Sequence, residues 1–325
     1  MAPARKPESW MRLATLASVL TAFVLLVIKT VALVMTGSTA MLGSLLDSAL
    51  DLTASLTNLF AVRYSLTEAD EEHRFGHGKA ESLGALAQAA LISGSAVFLA
   101  WESAANLLDP DPVRATTLGI IVMVVSIAMT LVLVAFQRFV VRRSGSVAIS
   151  ADLLHYSGDL LMNAGVIVAL VLSGMMGVHV ADPIIGVLIA LWLLRGSWQI
   201  SRNAFDQLMD RELPEDERAR ILTAALAVPD VSAVHDLRTR QSGLAAFVQV
   251  HVELDGGMSL YRAHVIADMV EAEIERIHPG AEVIVHLDPA GAEDLADQYD
   301  RVTAAEWDGG AEETSEEDNS QGERA

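Results

Sequence analysis

The chain has 325 residues, 52% of them hydrophobic, with no cysteine and a formal charge of -20. Its apolar runs are longer than a soluble core helix needs and point to a polytopic membrane protein. The acidic balance argues against a nucleic-acid partner. The lack of cysteine excludes thiolate metal ligands, disfavours Cu(I) as a cargo and fits a reducing compartment for the soluble part.

Windows of about 20 residues predict six membrane helices, near Leu13 to Met35, Ala40 to Val62, Leu83 to Leu108, Leu118 to Phe139, Ile149 to Met175 and Ile184 to Ile200. The first span is too long for a secretory signal and lacks a small-residue cleavage site, so it is expected to be retained. Arg5, Lys6 and Arg12 precede span one, Arg63, Arg74 and Lys79 lie between spans two and three, and Arg138, Arg142 and Arg143 between four and five. The opposite connections, TGST, ANLLDPDPVRATT and SGMMGVHVADP, carry only Arg114. Both termini are therefore expected in the cytoplasm, since Lys and Arg set orientation and acids contribute little.

Two spans carry acids. Asp47 and Asp51 lie four residues apart in span two, and His155 and Asp159 four apart in span five. That spacing stacks each pair on one helix face, about a turn apart, so each pair can grip one object. A charge at the bilayer centre costs roughly 2.5 to 3.5 kcal/mol on insertion scales, and a bound divalent cation offsets it. Three carboxylates and one imidazole without sulfur suit Zn²⁺ and tolerate Fe²⁺, Mn²⁺, Co²⁺ or Cd²⁺. Interhelical hydrogen bonding or a solvated cavity is the other reading of such residues.

Between spans two and three, Asp70, His73 and His77 have a spacing that could wrap a small cation, though a charged loop explains it nearly as well. Beyond the membrane block, the pattern reads α-β-β-α-β. PEDERARILTAALA and SLYRAHVIADMVEAEIERI have helical period; VHDLRTRQ, AAFVQVHVEL and AEVIVHLD alternate as strands. In the second strand Val248, Val250, Val252 and Leu254 take one face, while Gln249, His251 and Glu253 take the other. In the third, His286 and Asp288 lie opposite Val283, Val285 and Leu287. His235 begins the first strand and His264 lies on the second helix. A lone strand histidine is usually only solvated, but four with Asp288 in some fifty residues make a candidate metal cluster. His278 and His179 read as surface residues.

The expected organisation is a six-helix transmembrane domain over 1–208, a cytoplasmic α+β domain (αββαβ) over 209–288 and an acidic tail over 289–325. The tail cannot bury enough apolar surface to fold and is expected to be disordered. Neither a phosphate-binding G-x-x-x-x-G-K-[ST] loop nor H-E-x-x-H is present, so the chain is not expected to be an enzyme, and transport has to run on an ion gradient. A cation channel and a membrane-anchored metal sensor are the alternative classes.

The motifs LLDSALDL, RFGHGKAESL, ADLLHYSGDLLMN and ADPIIG, with the His-bearing soluble domain, resemble the cation diffusion facilitator family, most of all its bacterial zinc and ferrous-iron efflux pumps. The resemblance covers nearly everything but the tail. It implies a homodimer of six-helix protomers in the lipid of the bacterial inner membrane, exporting Zn²⁺, and Fe²⁺ or Cd²⁺ with it, in exchange for protons. It also implies a transport site at Asp47, Asp51, His155 and Asp159, a loop site at Asp70, His73 and His77, and a two-ion structural cluster at His235, His251, His264, His286 and Asp288. Lys79 and Asp210 would form a charged interlock at the dimer.

Overall fold

The computed structural model describes residues 6–36, 39–108, 117–176, 180–291 and 302–303. Arg114, His179 and most of the expected tail lie outside them. Six long helices come first: α1 (Pro7–Thr36), α2 (Thr39–Ser65), α3 (Lys79–Leu108), α4 (Thr117–Ser144), α5 (Val147–Met176) and α6 (Ala181–Leu208). All six are long and apolar enough to cross a membrane.

Their ends differ from the hydropathy windows: α3 starts at Lys79 instead of Leu83, and α6 runs to Leu208 instead of Ile200. Hydropathy sees the apolar length, whereas the backbone ladder continues through Lys79, Glu81, Arg202 and Gln207 without interruption. α1 opens on Pro7, whose missing N–H is no loss in a first turn.

Leu50, Phe60, Val132 and Trp198 are exposed on the outer faces of the bundle, as hydrocarbon contact requires. Inside, small residues bring backbones together. A Cβ on Gly84 would fall 2.5 Å from Ala61 Cβ, so α2 and α3 meet at a distance only glycine permits. α3 and α6 share a polar seam. Ser82 Oγ donates to Gln207 Oε1 at 2.7 Å, the Ser93 and Ser197 hydroxyls lie 2.8 Å apart, and Gly186 leaves room for Ser103. At one end of the seam Lys79 Nζ pairs with Asp210 at 3.0 Å and donates to the Leu208 carbonyl at 3.3 Å.

The described chain forms two compact units, the second drawn from Glu212–Gln241 and the residues from Ala245 onward. The second contains α7 (Glu215–Leu226), β1 (Ala233–Ser242), β2 (Ala245–Leu254), α8 (Leu260–Ile277), β3 (Glu282–Pro289) and β4 (Val302–Thr303). Three acids fill the first turn of α7, where they complement the helix dipole. Ser259 caps α8, accepting from the Arg262 N–H.

The sheet order is β3-β2-β1-β4, with β2 and β3 parallel across the α8 crossover. The tight turn between β1 and β2 has Gly243 at φ +60°, a conformation side chains disfavour. Val248, Val250, Val252 and Leu254 are buried with Ile221, Ile266, Val270 and Ile274, so the predicted inward set is the observed core.

Glu253, placed by period on the outward face, is buried, because the chain at Ser232 folds over it and donates from both N–H and hydroxyl to its carbonyl. Within the segment expected to be disordered, Val302 and Thr303 form a short strand against Val234 and Ala233. A two-residue strand leaves no periodicity to read.

Candidate metal centres

In the membrane block, α5 carries His155 and Asp159 on one face, and α2 brings Asp51 to them. His155 Nε2 lies 3.0 Å from Asp51 Oδ1 and 3.7 Å from Asp159 Oδ2. One ligand atom from each of the three lies within 4.8 Å of the others. Bonds of about 2.1 Å to a tetrahedral Zn²⁺ place ligand atoms roughly 3.4 Å apart, so the observed separations suit a single small cation. Asp47, one turn along α2, is exposed and outside this group. It remains within Coulombic reach of Asp51, His155 and Lys29. Lys29, a cation within the apolar helix α1 and not among the predicted site residues, donates to the Ser44 carbonyl at 3.2 Å.

A fully buried polar network, not among the predicted site residues, lies one turn before His155. Asp152 accepts from Ser18, Gln88 and Gln137, and Tyr156 bonds Ser55. The signal was present in the sequence, since Asp152 precedes His155 by three residues in an apolar run and so shares its side of the helix.

The loop between α2 and α3 brings Asp70, His73 and His77 together. Asp70 Oδ1 lies 3.3 Å from His73 Nδ1, and Oδ2 lies 3.4 Å from His77 Nε2. The Asp70 carboxylate also accepts the backbone N–H groups of His73 and Glu72, at 2.6 and 3.0 Å. Those bonds, led by the one from the His73 N–H, hold its pKa below the usual carboxylate range. His77 is buried against Tyr64, with ring centroids 4.5 Å apart, and its Nδ1 has no partner among the described residues.

In the soluble unit, strand register performs the assembly. His251 on β2 stands opposite His286 on β3, and Glu253 opposite Asp288. Asp288 is central: Oδ2 lies 2.9 Å from His251 Nδ1 and 3.3 Å from His235 Nε2, while Oδ1 lies 3.3 Å from His286 Nε2. A carboxylate whose two oxygens face different imidazoles has the geometry to bridge two cations. His264 is not brought to this group; it is exposed on α8 and pairs with Asp268 of its own helix at 3.6 Å. Asp236 was not singled out, yet its Oδ2 lies 3.7 Å from His251 Nε2 and its backbone is held at φ +45°. Lys79 and Asp210 pair within one chain.

Six apolar helices enclosing two acids and an imidazole, together with a His-rich α+β domain, define a membrane transporter for metal cations. Residues 15–209 match the family model "Cation efflux transmembrane domain" and residues 213–290 match "Cation efflux protein, cytoplasmic domain". The chain belongs to this family, the cation diffusion facilitators: it is a cation-efflux transporter and not an enzyme. It is similar to the cation-efflux pump FieF of Cronobacter sakazakii, with 49% identity over 85% of this chain and 92% of that protein. The same named pump of Klebsiella pneumoniae is 47% identical over 88% of this chain and 95% of its own, and that of Yersinia pestis 47% over 86% and 93%.

Proposed function

We propose that the protein exports divalent transition-metal ions, Zn²⁺ foremost and Fe²⁺ or Cd²⁺ with it, in exchange for protons. The observation that carries this reading is the group of Asp51, His155 and Asp159, whose ligand atoms lie within 4.8 Å of one another in the membrane block. Oxygen and imidazole donors at such spacing suit Zn²⁺, and carboxylates extend the range to other divalent ions. Exchange follows from competition, because a metal needs ionised carboxylates and a neutral imidazole, and protons reverse both.

Asp47 acts in this reading as an outer ligand that engages as ions enter or leave. The loop group captures ions near the membrane surface, and the soluble cluster around Asp288 holds resident ions. The functional protein is a homodimer in the bacterial inner membrane with both termini cytoplasmic, and Lys79 with Asp210 stiffens the end of each protomer's α3 and α6.

The test is purified protein in proteoliposomes, with metal uptake and lumenal pH followed together. Metal movement accompanied by opposite proton movement is expected for Zn²⁺. Metal flux unaffected by a pH gradient, with no change in lumenal pH, would instead identify a channel.

A further inference from the structure

Asp152, on α5, is 1% exposed and ringed by uncharged groups from three other helices. Ser18 Oγ of α1 donates to Oδ2 at 2.5 Å, Gln137 Nε2 of α4 donates to the same oxygen at 2.7 Å, and Gln88 Nε2 of α3 donates to Oδ1 at 3.1 Å. Ser18, Gln88 and Gln137 are all themselves buried. No Lys, Arg or His pairs with the carboxylate among the described residues, and an unpaired ion so deep costs several kcal/mol. A second observation is independent of the carboxylate: Gln88 Oε1 and Gln137 Oε1 are buried acceptors with no partner among the described residues.

The surroundings therefore satisfy two states of one side chain. When Asp152 is ionised, two amides and a hydroxyl donate to it. When it is protonated, a turn of either amide presents an idle Oε1 to the new O–H, since an amide offers a donor and an acceptor on opposite sides. A purely structural carboxylate needs no spare acceptors.

We propose that Asp152 is a proton-binding site of the transporter, separate from the metal ligands, that gives up its proton when metal arrives and regains it when metal leaves. The step is –COOH to –COO⁻ plus H⁺, with the proton passing to bulk water. Its cause is electrostatic: side chains three residues apart on a helix are about 5 to 6 Å apart, so a divalent ion on His155 favours an ionised Asp152 in a weakly screening interior. The ionisable groups around it are His155 and Tyr156 on α5, with Asp51 and Asp159 paired to His155. Tyr156 bonds Ser55 of α2 and the Ser18 carbonyl of α1. Glu81 of α3 lies about two turns along that helix from Gln88, held by the Ala148 N–H of α5. The residues that α1, α3 and α4 present directly to Asp152 are uncharged.

This rests on the proposed exchange of metal for protons, and the test separates the two. Calorimetric titration of the full-length protein with Zn²⁺, in buffers of different ionisation enthalpy, counts protons released per metal. Asp152→Asn keeps the shape and two of the polar contacts, and should release fewer protons, by up to one per chain, with affinity within several-fold of wild type. Wild type releasing none would defeat the exchange itself. Equal release from wild type and Asp152→Asn would defeat only the role of Asp152. If that variant does not fold, infrared difference spectra of wild type decide: Zn²⁺ should remove a protonated-carboxyl C=O band, and Gln88→Met should shift it. A missing band, or one that Gln88→Met leaves unmoved, overturns the proposal.

Discussion

In the membrane block Asp51 meets His155 and Asp159 across the gap between two helices, whereas in the soluble unit His251, His286 and Asp288 are set by the pairing of adjacent strands. A helix pair can slide or tilt by an ångström and change its ligand distances without breaking a backbone hydrogen bond. A parallel ladder cannot, because moving His251 relative to His286 means breaking the register from Phe247 to Leu254. The same ligand types thus sit on two mechanically different frames. The site proposed to release its ion lies between elements, and the one proposed to keep it lies within a sheet.

The sharpest way to break that contrast is to remove the shared carboxylate of each group. Asp51→Ala or Asp159→Ala should reduce Zn²⁺ flux in proteoliposomes by at least about 100-fold, since losing a direct ligand costs more than losing an outer partner. Near-normal flux in both variants would place the path elsewhere. Asp288→Ala should weaken Zn²⁺ binding by the full-length protein by at least about 100-fold in equilibrium dialysis, while flux at saturating metal falls only several-fold. Loss of flux as complete as in Asp51→Ala would show that the sheet cluster also belongs to the transport path.

The loop group sharpens the comparison with a smaller effect. The backbone N–H groups at Asp70 keep its carboxylate ionised to a lower pH than usual. Its favourable contribution is therefore complete above the ordinary carboxylate range, near about 4, and is lost only as pH falls through the lower folded value. Asp70→Asn should weaken metal binding there by a few-fold at every pH between about 5.5 and 7.5, where that carboxylate stays ionised throughout. A steeper loss at low pH in the wild type than in Asp70→Asn would contradict the assignment.

Much of this was legible in the sequence for identifiable reasons. Six spans follow from apolar length alone, and His155 with Asp159 follows from helical period, because both are properties of one element. Asp47 shows the limit of the same argument. Period places it on the face of Asp51, but only the facing helix decides which of two stacked acids is reached, and here it is Asp51. His264 fails for the same reason: its helix was correct, yet its side chain points away from the strands that gather the other ligands. Asp152, Ser18 and Gln137 come from three different spans, so no local pattern joins them. They acquire meaning only once the helices are packed.

The seam between α3 and α6 has a consequence for how the molecule is made. Ser82 and Gln207 are 125 residues apart in the chain. During synthesis α3 enters the membrane with its serines and Lys79 lacking their partners, and it waits while α4 and α5 are translated. The contacts between α3 and α6 therefore form late, because loop closure precedes any contact that rewards it. A chain truncated before α6 would leave Ser82, Ser93 and Lys79 of α3 without these partners.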